Sequence, residues 1–229
     1  MNAEKPQATH QEQDELQFER IVFFSDAVFA IAITLLVIEI KVPEMGHHLA
    51  SHSASVEELY QQWPGEFVKL FPKIFGFILS FLVIGQYWIN HHRNFGIIRR
   101  FDRGLLWRNL LFLMCIAFIP FTTAFYSEYT YWSIPLMWYS ANIALTGLMQ
   151  WWVWKYASRN ARLIDPSTNP HLIDQISLGH LGVPVAFSLS FIGGLLGYPF
   201  SISFTWVVIP LMIRFAHWRY ERRIASQPV

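Results

Sequence analysis

The sequence predicts an all-α integral membrane protein with six transmembrane helices, and three observations support this. Charged residues make up 14% of the chain, against about 25% in soluble globular proteins. Hydrophobic residues reach 53% and mean hydropathy is +0.29, which leaves too little polar surface for a water-facing domain. The apolar residues also gather into six runs near the length of about 20 residues that carries a helix across about 30 Å of hydrocarbon.

The runs cover roughly 20–41, 69–92, 105–126, 132–155, 178–198 and 200–218. The first four are continuous. The last two are interrupted by Pro184, Gly193, Gly194, Gly197, Pro199 and Pro210. Tight re-entry after Gly197-Tyr198-Pro199 makes them a helical hairpin, with one long re-entrant feature as the alternative. The run that opens at residue 20 reads as a retained first helix. The segment before it holds Glu4, Glu12, Asp14, Glu15 and Glu19, whereas a secretory leader opens with basic residues.

Basic residues set the orientation. Of the 17 Lys and Arg residues, 14 fall before the first run, after the even-numbered runs or at the C-terminus, against 3 on the opposite side, Lys41, Lys69 and Lys73. The positive-inside rule therefore places both termini in the cytoplasm, which requires an even number of spans. Trp107, Trp151, Trp152, Trp154 and Trp218 then fall at cytoplasmic boundaries, and Trp63 and Trp132 at external ones, where amphipathic rings settle. The expected layout is a cytoplasmic segment 1–19, a transmembrane domain 20–218 and a cytoplasmic tail 219–229. Residues 43–66 form an external polar loop with scope for some helix, and 156–177 a cytoplasmic turn region.

Several function classes have no support. The basic residues are spread over short loops and form no stripe for nucleic acid. The single cysteine, Cys115, provides neither a disulfide framework nor a cysteine-rich metal site. Nucleophile elbow, phosphate-cradling glycine loop and H-E-x-x-H are all absent, so the chain is not read as an enzyme.

The first run carries the chemistry. Asp26 lies about two turns into an apolar helix, where an ionisable group is costly and marks a site. At about 100° per residue, Ile31, Thr34, Leu35 and Ile38 share one stripe and Asp26 points about 140° away from Ile31. The carboxylate is therefore expected to face other helices of its own subunit. The second run ends in Tyr87-Trp88-Ile89-Asn90-His91-His92-Arg93 at the matching depth. It offers partners either for a structural polar knot with Arg20, Ser25 and Asp26 or for a proton relay or ion site.

These residues resemble a known family. Arg20-x-x-x-Phe24-Ser25-Asp26 is similar to the R-x-x-x-F-S-D signature on the first helix of the transmembrane protein 175 family, endolysosomal potassium channels and their bacterial homologues. The following Ala27-to-Val37 segment, His91-His92-Arg93, Trp107-Arg108-Asn109 and Pro120-Phe121-Thr122-Thr123 resemble family features too. The resemblance implies a homotetramer with four first helices around a central pore. Ile31 would form a hydrophobic constriction and Thr34 a polar ring one turn outward, with Leu35 and Ile38 continuing the wall. No T-V-G-Y-G-like carbonyl filter is present. The implied function is a potassium-selective, leak-type channel in a multi-pass inner cell membrane protein, with potassium as the permeant species and no cofactor. The alternative is a proton-coupled secondary transporter or proton channel using Asp26, His91 and His92.

Other polar groups receive plainer readings. Glu39 and Glu44 can attract cations at the external end of the first helix, or remain solvated or paired with Lys41. His47, His48 and His52 are read as a solvated stretch with no further ligand for a metal. His180 and His217 are read as structural or interfacial.

Overall fold

The computed structural model describes residues 10–42, 56–198 and 200–205, and positions 208, 209, 211, 212, 214, 215 and 218. Within them the chain is helical: α1 His10–Ile38, α2 Val56–Ile97, α3 Arg103–Glu128, α4 Ser133–Ser158, α5 Pro170–Gly179 and α6 Gly182–Leu195, with 3₁₀ turns at Arg159–Ala161 and Ser201–Phe204. Among the described residues, four stretches are long and apolar enough to cross a membrane: Glu15–Ile38, Phe67–Ile97, Arg103–Glu128 and Pro170–Leu195. Glu44, His47, His48, His52 and His217 lie outside the described residues.

Three of the expected boundaries move. Helices α1 and α2 extend beyond their apolar runs, α1 back to His10 and α2 from Val56 to Ile97, so 56–66, expected in the external loop, is helix. The fifth run starts earlier than 178. Asn169 caps α5 by accepting a hydrogen bond from the His171 N–H at 2.9 Å, and Pro170 occupies the first turn, where its missing N–H costs nothing. The apolar stretch Pro170–Leu195 is then broken at His180-Leu181 between α5 and α6. Its far end closes on Gly197, whose φ of +82° suits a residue without Cβ. The Tyr198 N–H donates to the Gly193 carbonyl across this turn at 2.9 Å.

Helix α4 has 26 residues, about 39 Å at 1.5 Å per residue, so length suffices for a crossing. Its apolarity is diluted because Asn142, Thr146 and Gln150 point into the protein, where all three are buried. Helix α3 packs against α1, α2 and α4, and α4 also packs against α6. Gly147 permits this last contact, since a Cβ there would lie 2.5 Å from Pro184 Cγ and 2.9 Å from the Tyr87 hydroxyl.

One end of the bundle is tied by Asp102. Its Oδ1 accepts from the Leu105 N–H at 2.8 Å and so caps α3; its Oδ2 accepts from the Tyr156 hydroxyl at 2.8 Å and from Arg162 Nη2 at 2.9 Å. Arg108 lies over the rings of Trp152 and Tyr156, 4.5 and 3.8 Å from their centroids. Asn160 and Ala161, at φ 55° and 49°, reverse the chain after α4. Leu163 thereby accepts from the backbone N–H groups of Arg99 and Arg100 at 2.9 and 3.2 Å.

Burial pushes the Asp102 carboxyl up, but the Leu105 N–H, the Tyr156 hydroxyl and Arg162 outweigh it and hold the group below its ordinary value of 3.8. A carboxyl depressed by folding stabilises the native state above that ordinary value, and the stabilisation disappears as pH falls through the folded-state value. Asp102→Ala is expected to cost about 0.5–2 kcal/mol at pH 7 through loss of the cap. Thermal unfolding of the detergent-solubilised protein should show the gap from wild type closing as pH is taken below 3.8.

Candidate functional site

Helix α1 has two faces. Ser25, Phe29, Ala32 and Leu36, spaced by three or four residues, point into the bundle, with Phe29 at 1% and Leu36 at 2% exposure. The Ile31, Thr34, Leu35 and Ile38 stripe is uncovered, with Ile31 at 59% and Ile38 at 67% exposure. Phe24, Ala27 and Ala30 are exposed as well. The Thr34 hydroxyl donates back to the carbonyls of Ala30 and Ile31 at 3.0 and 2.9 Å. Its one hydrogen is in reach of both carbonyls, and the oxygen keeps its capacity to accept. Glu39, just past the helix, is exposed.

The rotation of α1 is held by a string of three buried side chains. The Ser25 hydroxyl donates to the Ile21 carbonyl at 2.9 Å and accepts from Asn109 Nδ2 at 2.9 Å. With the Asn109 amide oriented this way, its Oδ1 accepts from His91 Nε2 at 3.1 Å, which assigns the Nε2–H tautomer to His91. The imidazole stacks on Phe95, 4.2 Å between centroids, and lies nearly parallel to Phe112 at 5.8 Å. Helices α1, α3 and α2 thus meet at one point, on α3's Asn109.

The remaining motif residues lie apart from this string. The carboxylate of Asp26, half-buried, accepts from Trp88 Nε1 at 2.9 Å. His92 is exposed, its ring 5.8 Å from that of Trp88. Arg20 is exposed and in no ion pair among the described residues. No direct hydrogen bond links Asp26 to either histidine. Asn109, which joins the string, belongs to the Trp107-Arg108-Asn109 motif. An amide near the start of the apolar run 105–126 is the signal that it has a buried partner.

Among the described residues, no three His, Cys, Asp or Glu side chains converge as a metal site would require. Several other buried polar groups bind one another. Ser80 bonds both Thr123, at 2.8 Å, and the Tyr139 hydroxyl, at 3.0 Å. The Tyr87 hydroxyl donates to the Ile143 carbonyl at 2.7 Å, and Gln150 Nε2 donates to the Tyr87 carbonyl at 2.7 Å. Such pairings hold a membrane bundle together; they do not form an open reaction site.

Comparison with known proteins identifies the arrangement. The family model described as endosomal/lysosomal potassium channel TMEM175 matches residues 20–120, which hold α1's apolar part, α2 and most of α3. A protein of Chamaesiphon minutus named as a potassium channel is 36% identical over 180 residues, covering 76% of this chain and 84% of its own length. The chain belongs to the TMEM175 family. The crystal structure of a lysosomal potassium-selective channel TMEM175 homolog from Chamaesiphon minutus superposes with a TM-score of 0.62 at 32% identity, covering 87% of this chain and 98% of that one. A zebrafish protein named as the endosomal/lysosomal proton channel TMEM175 is 24% identical over 131 residues, covering 57% of this chain and 23% of its own length. The protein is therefore a membrane-embedded member of a family of ion channels, not an enzyme.

The two polar sites differ in burial, and this separates their expected costs. Asn109→Ala leaves the His91 Nε2–H without a partner inside the bundle, at about 1–3 kcal/mol, while Ser25 keeps its bond to the Ile21 carbonyl. Trp88→Phe removes one bond from a carboxylate that is only half-buried in the bundle and should cost less. Thermal denaturation in detergent should rank Asn109→Ala well below Trp88→Phe.

Proposed function

We infer that the chain is the subunit of a potassium-selective, leak-type channel: a homotetramer with four α1 helices around a central pore. Both termini face the cytoplasm of an inner cell membrane, and 20–218 forms a six-helix channel domain between the segments 1–19 and 219–229. The observation that carries this reading is the uncovered stripe of α1, set opposite a face buried in the subunit's own bundle. The names of the Chamaesiphon minutus relative and solved homologue, potassium channel and potassium-selective channel, support the choice of ion.

Four copies of the stripe around an axis supply the parts of a pore without a carbonyl filter. A ring of Ile31 side chains forms an apolar constriction that closes by dewetting. One turn outward, a ring of Thr34 oxygens, each with backbone carbonyls in reach of its hydrogen, presents acceptors to a cation that has shed part of its water. Potassium gives up water more easily than sodium, so a narrow, largely apolar passage with one oxygen ring favours it. Leu35 and Ile38 continue the wall, and Glu39 adds negative charge at the external mouth. Asp26, Arg20, Phe24, Ser25, His91 and His92 contribute at the cytoplasmic end of the subunit, where the first three helices meet.

Flux into proteoliposomes tests this reading. Wild type should pass potassium in preference to sodium. Ile31→Asn should raise flux and weaken the preference, and Thr34→Val, of similar volume without the oxygen, should lower the preference severalfold. Unchanged flux and selectivity in both variants would contradict the assignment. A proton-coupled route through Asp26 would instead make potassium flux depend on the proton gradient and vanish in Asp26→Asn that remains folded.

A further inference from the structure

The uncovered stripe of α1 does not end at Ile31. At about 100° per residue, Arg20, Phe24 and Ala27 all lie within about 40° of Ile31, and all three are exposed. Arg20 takes no part in the string through Ser25, Asn109 and His91, and it is in no ion pair among the described residues. Among the described residues of α1, the acids Glu15, Glu19 and Asp26 sit about 120° or more from Ile31 by the same arithmetic. Phe24 and Ala27 carry no charge, so nothing on the stripe offsets the guanidinium. Arg20 precedes Ile31 by eleven residues, about 16 Å along the helix, and Glu39 follows the far end of the same helix.

We propose that four Arg20 side chains form a positive collar at the cytoplasmic mouth of the pore and make it pass potassium more readily inward than outward. The collar rests on the tetrameric pore lined by α1. A cation leaving the cytoplasm meets the collar before the apolar constriction, where its local concentration is depressed. A cation arriving from outside meets Glu39 first and reaches Ile31 without crossing the collar. Arginine stays charged throughout the working pH range, so the collar is permanent. The ring need not close on the axis, because its field reaches about 10 Å at 0.1 M salt and about 3 Å at 1 M. A mouth potential of about 1 kT lowers the local cation concentration about 2.7-fold.

Inside-out patches from cells expressing the full chain, with equal potassium on both sides, test the collar, since biosynthesis fixes which face is cytoplasmic. At about 0.1 M potassium, inward current should exceed outward current about two- to threefold at equal and opposite voltages. The ratio should fall to about one at 1 M, a comparison that needs no variant. Arg20→Gln should bring the ratio near one at the lower salt, Arg20→Lys should keep it and Arg20→Glu should invert it. Equal currents in wild type at the lower salt, a ratio unchanged by salt, or a ratio retained in conducting Arg20→Gln would overturn the proposal. Such a result beside an Ile31→Asn variant with altered selectivity would remove the collar and leave the pore. No potassium current from folded wild type would remove the pore, and the collar with it.

Discussion

A polar side chain buried in a membrane bundle must find its partner within the protein, because the hydrocarbon offers none. In this chain that requirement falls on Ser25, Asn109 and His91, one residue from each of the first three helices. A hydrogen bond tolerates only a few tenths of an ångström, so the string sets the rotation of α1 about its own axis. Turning the helix by one residue, about 100°, would withdraw Ser25 from Asn109 and bury Asp26 in its place. With Ser25 inward, Phe29, Ala32 and Leu36 follow it into the bundle, and the Ile31, Thr34, Leu35 and Ile38 stripe is left outside. The uncovered face thus depends on a joint that lies on the opposite side of the helix.

The same constraint organises the outer helices. Helix α4 brings Tyr139, Gln150 and the Ile143 carbonyl to α2, and each meets a partner there. Hydrogen bonding of this kind substitutes for the apolar contrast that drives helices together in water. Outside the hydrocarbon the joint changes character. Asp102, Tyr156, Arg162 and Arg108 combine a helix cap, an ion pair and stacked cations at a boundary where arginines can stay charged.

Much of the bundle was legible in the sequence. The continuous apolar runs over 20–41, 69–92 and 105–126 correspond to the apolar parts of α1, α2 and α3, and the 26-residue α4 covers the run at 132–155. Helix ends were less legible, because charged residues carry α1 and α2 beyond the hydrocarbon and an Asn-Pro cap starts α5 well before residue 178. The motif on α1 led to the family, and helical phase separated Ile31 from Asp26. Pairing across helices was not legible: Asn109 could be flagged as a polar group in an apolar span, but nothing in its spacing named Ser25 and His91 as partners. The clasp on Asp102 was hidden for the same reason, since Tyr156 and Arg162 lie more than fifty residues away along the chain.

The uncovered stripe of α1 is tested most directly by cysteine accessibility. Cys115, the chain's one cysteine, is buried, so single cysteines placed along α1 report on their own positions. Potassium flux through proteoliposomes would be followed before and after addition of a small, charged, water-soluble thiol reagent. The account predicts block in Thr34→Cys and Ile38→Cys and none in Ala32→Cys or Leu36→Cys. Block at the buried positions, or no modification of Thr34→Cys in protein that still conducts, would contradict it.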